Sequence, residues 1–216
     1  MHNLKILPVI LLFLTAFVSG CTRPGNGTME YPIVDSKMTI AEAVGKDVPP
    51  EIRQRQKLVT VTYYSFDDKV HQGQIVVDER LADDVQEVFR VALENKFPIG
   101  SVIPIADRKF QKEGQTNSDD LSMAANNTSA FNYRVKTGSS VLSQHAYGFA
   151  VDINPMQNPY IKGGTILPSN AVYDPAKPGT LTLDSPVVKT FKRLGWTWGG
   201  EWQSLKDYQH FEKGIK

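Results

Sequence analysis

The sequence predicts an α+β fold: a small, mainly antiparallel sheet with flanking helices. Leu58–Tyr64 and Val70–Val77 are alternating, β-branched runs joined by the turn-like Phe66-Asp67-Asp68-Lys69, the pattern of a hairpin. Leu81, Val85, Val88, Phe89, Ala92 and Leu93 then keep helical spacing to about residue 96. Strands and helices follow without regular alternation and without an internal repeat, which suggests α+β with a mainly antiparallel sheet. With 41% hydrophobic and 22% charged residues, the 216-residue chain has the composition of an ordinary globular fold. Its 24 Lys+Arg against 23 Asp+Glu leave no cationic surplus for counterion release, so no nucleic-acid partner is expected. One cysteine excludes an internal disulfide framework and any zinc site built from several thiolates.

Taken in order, residues 1–20 do not belong to the fold. Lys5 makes a small positive start, and Ile6–Val18 is an apolar run broken only by Pro8 and Thr15. It is shorter than the roughly 20 residues a spanning helix needs and suits the core of a secretory signal. Val18-Ser19-Gly20-Cys21 resembles a bacterial lipobox, in which the cysteine takes a lipid and becomes the mature N-terminus. Removal of residues 1–20 leaves a mature charge near zero. The chain is therefore expected to be exported and anchored to a bacterial membrane through lipid on Cys21. Residues 21–55 are expected as lipidated N-terminus and tether, with a short helix over 38–46 ended by Pro49-Pro50, and residues 56–216 as the functional domain.

Asp78 is placed to cap the helix that follows the hairpin, and Val102–Ile105 reads as extended. Residues 111–130 are rich in Asn, Ser and Asp and read as a loop, as does the Pro/Gly/Asn-rich stretch 157–179. Phe149–Ile153 reads as a strand. Pro186–Leu194 is a short amphipathic helix after Asp184-Ser185, with Gly195 as its stop. Trp196–Trp198 and Tyr208–Glu212 are the last strands.

Of the four histidines, His2 lies in the signal and His71 in an alternating strand with no partner motif, which reads as a surface or satisfied residue. His145 and His210 sit in segments with chemistry around them. On one helix, the seven positions from His145 to Asp152 would be about 10.5 Å of rise, too far for two short side chains to share an ion. Gly148 instead permits a turn, and Phe149–Ile153 a strand, so the two can face each other, with His210 arriving from a neighbouring strand. Two imidazoles and a carboxylate with one open position are the arrangement of a catalytic metal site. Asp207, three residues before His210, offers a second carboxylate beside such a site, suited to general-base work. Read singly, H-x₆-D and D-x-x-H also occur by chance.

The pattern S-x-H-x-x-G-x-A-x-D is complete here as Ser143, His145, Gly148, Ala150 and Asp152. Gly195–Trp202, Asp207–Glu212 and the upstream Phe131-Asn-Tyr-Arg134 accompany it. Together these segments resemble the zinc D-Ala-D-Ala carboxypeptidase and L-alanyl-D-glutamate endopeptidase family, over about residues 58–213. The resemblance implies the small α+β domain shared by D,D-peptidases and hedgehog signalling domains, with Zn²⁺ held by His145, Asp152 and His210. Asp207 takes the place of the catalytic carboxylate, and Arg134 that of a residue holding the substrate or the oxyanion. Members close to the vancomycin-resistance D,D-carboxypeptidases have Glu where Asp207 stands, so the match is to the endopeptidase-like branch.

The function expected is hydrolysis of an amide in the stem peptide of peptidoglycan, by L,D-endopeptidase or D,D-carboxypeptidase action, in a monomer. Ser143 could support a ligand or substrate group, or be a turn hydroxyl. Trp198 and Trp202 could wall a substrate cleft or belong to the core. Tyr147 and Tyr208 read as packing residues. Two rivals stand beside this reading: a non-catalytic envelope-binding lipoprotein using zinc as a staple, and a metal-free sensor or adhesin.

Overall fold

A computed structural model describes residues 31–111, 119–136 and 139–215; the signal sequence, Cys21 and the start of the tether lie outside these residues. Among the described residues no helix is long and apolar enough to cross a membrane. The elements in order are β1 (Ile33–Val34), α1 (Ile40–Val44), α2 (Pro50–Arg53), β2 (Gln56–Tyr64), β3 (Val70–Asp78), α3 (Ala82–Glu94), β4 (Ser101–Val102), α4 (Asp119–Ala124), β5 (Asn127–Thr128), β6 (Ala150–Asp152), β7 (Tyr160–Lys162), β8 (Thr165–Leu167), α5 (Pro186–Arg193), β9 (Thr197–Trp198), β10 (Lys206–Asp207) and β11 (His210–Glu212).

The expected hairpin forms, with β2 and β3 antiparallel from Gln56 opposite Asp78 to Tyr64 opposite Val70. Its alternation buries Val59, Val61, Tyr63, Ile75 and Val77 in the main core. The Asp78 carboxylate accepts from the Arg80 amide and starts the turn into α3. The apolar stripe of α3 (Val85, Val88, Phe89, Ala92) packs on β2 and on Val187, Val188 and Phe191 of α5. Each such side chain contributes about 1.5–3 kcal/mol by leaving water. Ser185 caps α5, Pro186 opens it, and Gly195 turns the chain out at a φ of +87°.

The compact unit runs from Tyr31 onward, so the expected tether is folded from there. β1 pairs parallel with β3, and Thr39 and Glu42 form a capping box on α1. Ala43, Val44 and Val48 bury with Val76 and Phe131 in a second, smaller core.

Two stretches expected as loop carry structure. Within 111–130 lie α4 and β5, pinned by the buried Asn127: its amide donates to the Ile103 carbonyl and the Ser122 hydroxyl, and its oxygen accepts from the Ile103 amide. Within 157–179, β7 and β8 form a hairpin whose other edge joins β10. Two further sheets are the short parallel pair β4–β5 and the three-stranded β6–β11–β9, which carries Asp152 and His210.

Candidate metal centre and cleft

The register of β6 and β11 places Asp152 directly opposite His210. His145 reaches the same point from a tight turn over Gln144–Tyr147. The Ser143 hydroxyl accepts from the His145 amide at the head of this turn, and Gly148 ends it with a left-handed φ of +73°. Gly148 has no space for a side chain, because a Cβ there would press into Gln56 and the backbone of Val77 and Asp78.

One donor atom from each of His145, Asp152 and His210 lies within 4.8 Å of the others, and all three residues are buried. His145 Nε2 is 3.2 Å from His210 Nδ1 and 3.3 Å from Asp152 Oδ2, and His210 Nδ1 is 3.0 Å from Asp152 Oδ1. The outward nitrogens are already engaged: His145 Nδ1 donates to the Ala130 carbonyl at 2.6 Å, and His210 Nε2 lies 3.1 Å from Glu212 Oε2. With those nitrogens carrying the hydrogens, both inner nitrogens present lone pairs toward each other and toward a carboxylate. Three electron-pair donors facing inward call for a cation at their centre. Tetrahedral bonds of about 2.0–2.1 Å give edges of about 3.3 Å, close to the separations present, so the donor set fits a zinc-sized ion. The pattern of outer nitrogens tied to a carbonyl and a carboxylate is that of metal-binding histidines.

The electrostatics agree. Burial opposes charge on Asp152, but His145 and His210 outweigh it and hold the carboxyl well below the usual range. Burial also opposes charge on His210, yet its hydrogen bonds to the Asp152 and Glu212 carboxylates raise its pKa to about 10. The cluster stabilises positive charge strongly.

These residues line a cleft of about 400 Å³ together with Asp207, Arg134, Ser143 and Trp202. Asp207 stands on β10 opposite Tyr160. Its Oδ1 is shut from solvent without a hydrogen-bond partner among the described residues, and burial pushes its pKa up to about 6. Gly199 packs so closely on Asp207 that a Cβ there would lie 2.5 Å from the Asp207 carbonyl oxygen. The Trp202 ring is 5.3 Å from that of His210.

Trp198 is corrected from cleft wall to core. Its indole donates to the Tyr208 carbonyl and its ring stacks on Phe211, leaving it 3% exposed. Tyr208 packs as expected, stacked on Tyr173, whereas Tyr147 stacks on Phe149 but stands exposed. His71 is satisfied rather than free, bonded to Asp35 and Asp67. Two cleft residues were not singled out from sequence. Glu212 orients His210; its place two residues after a candidate ligand, on the same strand face, was the available signal. Asp119 pairs with Arg134 Nη2 at 2.5 Å, and nothing in its polar surroundings distinguished it.

Residues 137–213 match the family model described as D-alanyl-D-alanine carboxypeptidase. The match covers His145, Asp152, Asp207 and His210 and bears out the resemblance read from the sequence. No solved structure matches the chain.

Proposed function

We propose that this chain, similar over residues 137–213 to the D-alanyl-D-alanine carboxypeptidase family, is a zinc-dependent peptidase hydrolysing an amide in the stem peptide of peptidoglycan. The observation that carries this reading is the meeting of two features in one cleft. Three inward-facing donors suit a divalent cation, and in the same cleft stands a buried carboxylate, one of whose oxygens has no partner among the described residues. A purely structural metal site has no use for that carboxylate.

Zinc bound by His145, Asp152 and His210 would polarise the scissile carbonyl and lower the pKa of a water to near 7. Asp207 then does the proton work. Its carboxylate, which lines the cleft, accepts the proton of the attacking water, and the raised pKa that burial gives it suits returning that proton to the leaving amine. Arg134, which lines the same cleft, offers N–H groups to the substrate's carbonyl. Glu212 and the Ala130 carbonyl hold the two imidazole rings in orientation. Ser143 acts through the turn it caps.

The same proposal places the protein in the cell envelope, exported by residues 1–20 and lipid-anchored at Cys21. This rests on the lipobox resemblance and on the nature of the substrate.

The test is mass spectrometry of defined stem peptides incubated with the zinc-loaded chain. Hydrolysis with about one metal per chain is expected. Loss of terminal D-Ala identifies D,D-carboxypeptidase action, and cleavage between L-Ala and D-Glu identifies L,D-endopeptidase action. Intact peptides in the presence of bound zinc would overturn the reading.

A further inference from the structure

Among the described residues the cleft contains one arginine, and its guanidinium is partly engaged. Arg134 Nη2 meets Asp119 Oδ2 at 2.5 Å, and Nη1 donates to the Val135 carbonyl at 3.3 Å. Nε is shut from solvent. A guanidinium grips a carboxylate with two parallel bonds either end-on, through Nη1 and Nη2, or side-on, through Nε and Nη2. Both grips use Nη2, which spends one of its two N–H groups on Asp119, and the side-on grip also needs the enclosed Nε. Asp119 is itself held, because its Oδ1 accepts from the Asn132 amide at 3.3 Å, and Asn132 is 3% exposed. The Arg134 carbonyl in turn accepts from the Ser143 amide, which ties the pair to the turn bearing His145.

A peptidase that removes a terminal residue must bind the chain-terminal carboxylate next to the bond it cuts. A peptidase that cuts within a peptide must not require one. We propose that Asp119 is a specificity-determining residue. By occupying Arg134, it removes the cleft's carboxylate fork and directs the site to an amide inside a longer peptide. Neutralised in this way, Arg134 still offers N–H groups to a neutral carbonyl. Lys136 and Lys162, which also line the cleft, are flexible point charges suited to acidic side groups along a longer peptide rather than to a bidentate fork. The assignment rests on the reading of the cleft as a stem-peptide site.

The test compares a stem tetrapeptide ending in a free D-Ala carboxylate with the same peptide ending in an amide. Binding is measured by calorimetry on the zinc-loaded full chain carrying Asp207→Asn, so that both peptides stay intact. With Asp119 present, acid and amide are expected to bind within about threefold of each other. Adding Asp119→Asn, which keeps the size and still accepts from Asn132, is expected to shift the preference toward the acid by about tenfold. A preference of about tenfold for the acid with Asp119 in place, or a ratio unmoved by Asp119→Asn, would overturn the proposal. The first of these needs no Asp119 variant, so a misfolded variant does not shield the proposal. Failure of every stem peptide to be hydrolysed strikes the proposed function instead, and is read in the hydrolysis assay.

Discussion

Asp152 and His210 are cross-strand partners in the β6–β11 ladder, and their side chains meet at 3.0 Å in the protein interior. Two of the three donors are therefore fixed by backbone hydrogen bonding rather than by loop conformation. The third, His145, is tied to the same platform. Its Nδ1 donates to Ala130, next to Ser129, which exchanges backbone hydrogen bonds with Asp152 at 3.0 and 2.8 Å. Donors held this way are pre-positioned, so an ion binding among them would cost little ordering entropy.

Metal should therefore bind tightly and stabilise the fold. At zinc concentrations 100-fold above Kd, ligand linkage contributes about 2.7 kcal/mol. For a chain of this size that corresponds to a rise in Tm of about 5–10 °C, reversed by chelator. Asp152→Ala should abolish both the bound metal and the shift. Glu212→Gln should retain the metal with affinity lowered about 10–100-fold, because it loosens only the orientation of His210. Metal analysis and melting curves with and without zinc check all three; a full zinc complement in Asp152→Ala would contradict the ligand assignment.

Asp207→Asn separates binding of metal from chemistry. The side chain keeps its size and loses its basicity, so zinc content and Tm shift should match the wild type. Peptide hydrolysis should fall by about 10²–10⁴-fold, the contribution typical of a positioned acid–base group. Near-wild-type turnover in a zinc-replete variant would remove Asp207 from the proton transfer.

The hairpin, α3, α5 and the histidine–aspartate spacing were legible because each is a local pattern: alternation, helical period, a cap, a glycine at a turn. The stretches 111–130 and 157–179 were misread for a common reason. Their Asn, Ser and Gly residues look solvated in sequence, yet Asn127 and Asn158 are fully buried, as is Asn154 just ahead of the second stretch. The Asn154 amide donates to the carbonyls of Pro98 and Gly179, and the Asn158 amide to those of Ile153 and Gly179. Buried amides that staple loops to the core carry no periodic signature. Trp198 and Trp202 show the same limit from the other side: two tryptophans four residues apart, one in the core and one at the cleft, are separated only by strand register and the turn at Gly199–Glu201.

His71 predicts a pH-dependent contribution to stability outside the cleft. Burial disfavours its charged form, but the Asp35 and Asp67 carboxylates outweigh that and raise its pKa. Asp35 is also bonded to the Tyr63 hydroxyl, so the pair fastens the segment after β1 to the hairpin. A raised folded-state pKa means that the contribution is complete below the ordinary imidazole range and fades as pH rises through the folded value. Denaturant unfolding of wild type and His71→Gln should differ by about 1 kcal/mol in mildly acidic buffer and converge at alkaline pH. A difference constant with pH would show that His71 acts through packing on Tyr63 instead.

Gly199 makes the sharpest demand on the proton-transfer geometry, although it carries no functional group. The chain at Gly199 lies so close to β10 that a methyl group would sit 2.5 Å from the Asp207 carbonyl oxygen and 3.0 Å from its Cβ. One of those contacts is with backbone, so rotation of a side chain cannot relieve it. Either the turn over Gly199–Glu201 or the strand Lys206–Asp207 must move, and the second carries the carboxylate with it. Displacement by about 1 Å is enough to cost on the order of 100-fold in rate when a reacting group must be positioned. Gly199→Ala should therefore lose kcat by about that factor while zinc affinity, set by β6, β11 and the His145 turn, changes little. KM should also hold, because Gly199 itself does not line the cleft. If zinc affinity and kcat fall together, the strain has spread into the β11 ladder, and the separation between the metal-binding platform and the strand carrying the base does not hold.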